Sequence, residues 1–200
     1  MFLVIQPEVR VFVHIISLSV ATLIGAGRWL TLAAASEAVA LTTGGELAQF
    51  VLACVGCGLL GALVMDYPMS RQEEGFTPAY VAAALVRRVP VAEVSVGEAL
   101  VVHHATGAVA GVLYALVYLL FARVVPDVVA VGGVVAVGHL AATMVVSGFV
   151  YAFFAHVVLP RTGRGIYEER STAVRGQWLR SVIVFGVVLG LSVPVFTTLV

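Results

Sequence analysis

Residues 47–69 read LAQFVLACVGCGLLGALVMDYPM, with Asp66 as the only charged side chain among them. A bilayer core of about 30 Å is crossed by roughly 20 helical residues at about 1.5 Å each. This stretch satisfies that length with almost nothing water would solvate, so it predicts a transmembrane helix. Four further apolar stretches flank it, at about 11–32, 96–122, 128–159 and 181–200. The expected fold is therefore an all-α polytopic transmembrane helical bundle of five spans, with residues 1–200 forming one integral membrane domain.

Composition agrees. Hydrophobic residues make up 61% of the chain and charged ones 11%, and the mean hydropathy is +1.08. A soluble domain carries about 25% charged residues, so the expected solvent, and first partner, is the lipid bilayer. Eleven basic residues, all arginine, balance eleven acidic ones. Nothing in that neutral balance points to nucleic acid.

Between the spans, local signals punctuate the chain. Thr43-Gly-Gly-Glu46 and Ser95-Val-Gly-Glu98 fit capping boxes, in which the hydroxyl and the carboxylate bond each other's backbone amides. Thr77-Pro78 suits a helix start, and the short apolar run that ends in Arg87-Arg88 predicts an interfacial helix at 78–88. Pro126-Asp127 should turn the chain into the fourth span. Pro194 predicts a kink or late break in the fifth. Ala33–Ala38 resembles a signal-peptidase site, but the long apolar run before it favours an uncleaved first helix.

Five spans place nine arginines on one side: Arg10, Arg71, Arg87, Arg88, Arg161, Arg164, Arg170, Arg175 and Arg180. Arg28 and Arg123 are on the other. The positive-inside rule then predicts a cytoplasmic N-terminus, an outside C-terminus, and residence in the cell (plasma or inner) membrane. Residues 160–180 are expected to form an arginine-rich loop facing the headgroups.

Small residues mark where helices can approach closely in lipid. Gly107-x-x-x-Gly111 and Gly186-x-x-x-Gly190 provide such faces, and Cys54, Gly58 and Ala62 form a similar line. They suit a compact bundle, a homo-oligomer or a larger membrane complex equally well.

Ionisable groups at membrane depth are costly and often functional. His14, Asp66, His103, His104 and His156 all fall in the leaflet on the arginine-rich side, with Ser147 and Tyr151 nearby. This is the candidate polar or ion site, suited to relaying protons or binding a cation or small anion. The bland alternative is that these groups bond one another or water near the headgroups. His139, at mid-span, is expected to bond a neighbouring helix rather than serve as a ligand. No cofactor is predicted: a b-type haem needs two imidazoles on opposite faces at one depth, which the spacing from His104 to His139 or His156 does not offer, and which His14 could offer with His103 or His104 only if the first and third spans are neighbours. Cys54-Val-Gly-Cys57 has redox spacing, but burial suppresses the thiolate, so its expected role is structural. No hydrolase, zincin, nucleotide or dinucleotide fingerprint is present, which leans away from an enzyme.

From His104 onward, Tyr114, Pro126 and a glycine-rich fourth span ending in Leu159-Pro160-Arg161-Thr162-Gly163 resemble the YagU-type inner-membrane family, over about residues 100–165. The resemblance implies a membrane fold, with His104, Tyr114 and Pro126 as its landmark positions, and no reaction. Three readings stay open: a transporter, channel or membrane-complex subunit using the His/Asp site, a membrane-embedded redox protein using haem or the CxxC, and a structural scaffold without a ligand.

Overall fold

The computed structural model describes residues 44–124 and 129–198. The expected span at 11–32, with His14, lies outside them, as does Pro126. Among the described residues four helices are long and apolar enough to cross a membrane: α1 (Gly44–Ser70), α3 (Val96–Phe121), α4 (Ala136–Thr162) and α5 (Arg164–Phe196). A shorter helix, α2 (Thr77–Arg87), joins α1 to α3 through a 3₁₀ turn at Val91–Glu93.

The four long helices run up and down in antiparallel succession, each packed on two neighbours: α1 on α3 and α5, and α4 on α3 and α5. Their apolar residues do not form one stripe. Leu52, Val101, Leu116, Leu140, Met144, Ile183 and Leu191 point outward, while the interior holds small, aromatic and a few polar side chains. An apolar periphery around a partly polar interior suits lipid as the outer solvent. This is the build of a multi-pass helical membrane protein.

Two expected boundaries move. The fourth span was expected from 128, but residues 130–135 form a hairpin, β1 (Ala130–Val131) with β2 (Val134–Val135), and α4 starts at Ala136. Gly132 and Gly133 both have positive φ, 56° and 75°, as a two-residue type I′ turn requires. A valine-rich run beside them fits a strand as well as a helix. The fifth span was expected from 181, after a loop at 160–180. Instead α5 starts at Arg164 and continues through that segment. Its buried residues Val174, Trp178, Ser181, Val182, Phe185 and Leu189 recur every three or four positions, so one stripe runs from the charged segment into the apolar one. At 33 residues, or about 50 Å at 1.5 Å per residue, α5 must extend beyond the hydrocarbon.

The helix expected at 78–88 is present as α2, and it is docked on the bundle rather than lying free. Pro78, Ala79, Val81, Ala83 and Ala84 are buried, and α2 packs on α3 and on the end of α4.

Proline shapes the ends of α4 and α5. Residues Phe154–Val158 widen into a π turn directly before Pro160, whose ring removes one amide and crowds the carbonyl four residues back, that of His156. Pro194 lies inside α5, which ends two residues later at Phe196, the late break expected.

The connection from α1 to α2 is held on the extension of α5 by Glu74. Its carboxylate accepts hydrogen bonds from the Thr77 hydroxyl at 2.7 Å and from Arg170 Nη1 at 2.6 Å, and its own amide donates to Gln177 Oε1 at 2.7 Å. The Thr77 hydroxyl, helped by the Arg170 guanidinium, holds the Glu74 carboxyl below its ordinary range despite burial.

Candidate functional site

The site grows out of the contact between α1 and α3. Both helices present small residues every four positions, and the backbones meet there: a Cβ added at Gly58 would run into the Gly107 carbonyl and the Gly111 backbone, one at Gly111 into the Cys54 carbonyl, and one at Gly107 into Ala62. Because the helices are antiparallel, each step from Cys54 to Gly58 to Ala62 is matched by a step back along α3 from Gly111. One further turn brings Asp66 against the turn that holds His103 and His104.

His104 Nε2 lies 2.8 Å from Asp66 Oδ2. His103 Nε2 lies 3.5 Å from Asp66 Oδ1 and 3.3 Å from the Ala62 carbonyl oxygen. The two rings are 5.4 Å apart and tilted by 54°. Consecutive residues diverge by about 100° around a helix, so both can face one carboxylate only if it sits over the gap between them, and the close approach of the backbones puts it there. The two imidazole nitrogens and a carboxylate oxygen all fall within 4.8 Å of one another. The His103 side chain is 7% exposed, that of His104 25% and that of Asp66 29%. The cluster is rooted in the bundle and open on one side. Asp66 Oδ1 is shielded from solvent yet accepts no hydrogen bond from the described residues.

Of the five residues expected to share a polar site, the structure brings these three together. His156 is on the π turn of α4, edge-on to Tyr151 with ring centroids 6.4 Å apart. It belongs to the other hairpin and is not in the cluster. His14 lies outside the described residues. Gly107 and Gly111 meet α1, whereas Gly186 faces Ser147 and Gly190 faces Thr143 on α4. These glycines therefore serve contacts within the chain.

A second polar cluster is closed. Tyr114 of α3 and His139 of α4 are 2.6 Å apart through the hydroxyl and Nδ1, and His139 Nε2 lies 2.9 Å from the Gly190 carbonyl oxygen of α5. That carbonyl is four residues before Pro194, which has no amide to offer it. His139 supplies the missing donor, as side chains do for proline-freed carbonyls in membranes. A carbonyl only accepts, so Nε2 must carry the proton, and Nδ1 must accept from the Tyr114 hydroxyl. Both ring nitrogens are then committed, and none is left for haem iron. Sequence reading anticipated a bonded His139 but not its partners. The Gly190-to-Pro194 spacing was the signal that a carbonyl there needed a donor. Cys54 and Cys57 are buried and not joined by a disulfide, and the Cys54 backbone is part of the contact with Gly111.

Comparison with family models, curated proteins and solved structures gave no match to this chain.

Proposed function

We propose that the protein is a small transporter, channel or membrane-complex subunit that binds a cation at Asp66, His103 and His104. The observation that supports this is the convergence of one carboxylate and two imidazoles across the α1–α3 contact, on the open side of the bundle. Residues so costly to bury in a membrane are retained where they handle a charged species. The arginines support the orientation: Arg71, Arg87, Arg88, Arg161, Arg164, Arg170, Arg175 and Arg180 belong to the end nearest this site, and Arg123 to the other. By the positive-inside rule the site opens toward the cytoplasm of a cell membrane, with the C-terminus outside. The resemblance to the YagU-type family fits this reading through His104, and adds no reaction to it.

The test is thermal melting of the tag-free full chain in detergent, at one fixed pH, against Na⁺, K⁺, Mg²⁺, Ca²⁺, Co²⁺ and Zn²⁺. A ligand that binds only the folded form raises its stability by mass action, about 2.7 kcal/mol at 100-fold excess over Kd. At least one cation should raise Tm by several degrees in wild type and in His156→Ala, but not in Asp66→Asn. A wild-type Tm unmoved by every cation would sink the reading.

A further inference from the structure

We propose that the cation is a divalent first-row transition metal, of the Zn²⁺ class, held by Asp66 and by Nε2 of His103 and His104, with at least one coordination position left open. The proposal rests on the cation-site reading above and goes further by naming the chemistry of the ligand.

The donor set comes first. Two imidazole nitrogens and one carboxylate suit zinc, iron, cobalt and their neighbours, whereas Mg²⁺ and Ca²⁺ take six or more oxygens. Geometry is the second argument. At metal–ligand lengths of about 2.0–2.1 Å, neighbouring donors on a tetrahedron are about 3.3–3.4 Å apart. His103 Nε2 and Asp66 Oδ1 are 3.5 Å apart, so this edge is already close to the required length. His104 Nε2 lies 2.8 Å from the other carboxylate oxygen, Oδ2, and one donor atom from each of the three residues falls within 4.8 Å of the other two, so rotations of the Asp66 carboxyl and the His104 ring must bring the two remaining edges to about 3.3–3.4 Å.

The third argument is what each donor gives up. Asp66 Oδ1 makes no hydrogen bond among the described residues, so its lone pairs are available. His103 would release the Ala62 carbonyl, but within α1 that carbonyl keeps its helical partner, the Asp66 amide. The Ala62 carbonyl is therefore not orphaned when the metal enters.

Three protein ligands with partial exposure of Asp66 and His104 leave room for water or an exchangeable ligand, the pattern of sites that act on or pass on a metal rather than of closed structural sites.

Co²⁺ titration of the tag-free full chain in detergent tests this. A visible band of four- or five-coordinate Co²⁺ should grow to one equivalent, be displaced by Zn²⁺, and survive excess Mg²⁺ or Ca²⁺. Asp66→Asn and His104→Gln, both close in shape to the native residues, should each weaken Co²⁺ binding at least tenfold, and His156→Ala should not. X-ray absorption of the Zn²⁺-loaded wild type, which needs no variant, should show two imidazoles and an oxygen in the first shell. A band unchanged in both variants, or a first shell without two imidazoles, overturns the proposal. If Na⁺, K⁺, Mg²⁺ or Ca²⁺ shifts the wild-type Tm while Co²⁺ and Zn²⁺ neither bind nor shift it, the cation site stands and the metal assignment falls. If no cation does either, both fall.

Discussion

The two histidine clusters differ in what they leave unspent. At His139 each polar atom has one complementary partner: Nδ1 takes the Tyr114 hydroxyl, and Nε2 serves the Gly190 carbonyl freed by Pro194. At Asp66 a carboxylate faces two imidazoles, one oxygen has no hydrogen bond from the described residues, and two of the three side chains are a quarter or more exposed. About 18 Å separates them along α1, counting from Asp66 to the level of Cys54. A buried histidine whose bonds are complete fixes helices. One whose bonds are incomplete, beside a carboxylate with lone pairs to spare, is equipped to take a ligand.

The largest effect should come from breaking the frame both clusters share. Gly111→Val would drive a branched side chain into the Cys54 carbonyl and force α1 from α3. Backbone has no rotamer to yield, so the cost should go well beyond the roughly 1–3 kcal/mol typical of overpacking and keep the two helices from packing. The expected outcome is loss of the monodisperse peak in size-exclusion chromatography together with the cation response. Gly56→Ala, with open space around its Cβ, should elute as wild type. Equal behaviour of the two would show that close approach at Gly111 is not what holds the frame.

Next is the closed cluster. His139→Ala removes the acceptor of the Tyr114 hydroxyl and the donor to Gly190, and leaves a cavity, so it should cost roughly 2–4 kcal/mol by thermal or denaturant melting in detergent. Adding Pro194→Ala supplies an amide to the Gly190 carbonyl and should recover about 1 kcal/mol. No recovery in the double variant would mean that the proline-freed carbonyl is not what His139 serves. Metal-free His104→Ala should cost less than His139→Ala, because it gives up one partly exposed bond, to Asp66 Oδ2, and leaves no buried carbonyl without a donor.

The smallest effect belongs to the connection beside the open cluster. Glu74 has its carboxyl lowered by Thr77 and Arg170, so its contribution is complete above the ordinary glutamate range and disappears as pH falls through the lowered folded value. Arg170 is more than half exposed, which screens the ion pair. Amide protection in residues 71–77, taken relative to the intrinsic exchange rate at each pH, should therefore fall on acidification in wild type, while α3 near Tyr114 stays protected. Glu74→Gln should show the lower protection already at neutral pH and lose the acid-side dependence. Acid opening of both ends together would erase the contrast between them.

Much of the fold was legible because it rests on additive, local quantities. Apolar length marked α1, α3, α4 and α5, Ser95 and Glu98 announced the capping box that starts α3, and Thr77-Pro78 announced α2. The failures were local ambiguities. Valines beside Gly132-Gly133 suited either a strand or a helix, and arginines at 161–180 hid the stripe of Val174 and Trp178 that makes the segment helical. Of the candidate site, the residue types and their approximate depth could be read, since depth follows from counting residues along each span. Their company could not. Asp66 and His104 are separated by 38 positions, and His139 and Gly190 by 51.

The sequence by itself therefore marked four of the apolar segments that the structure shows as helices long enough to cross a bilayer, and the ionisable groups within them. These follow from the transfer of each residue between water and lipid, a property each residue carries alone. Tertiary structure decided that Asp66 meets His103 and His104, that His156 stands elsewhere, and that His139 is consumed by Tyr114 and Gly190. Those outcomes depend on helix register, and register is set where backbones touch, at Gly58, Gly107 and Gly111, by contacts that exist only once the helices have come together.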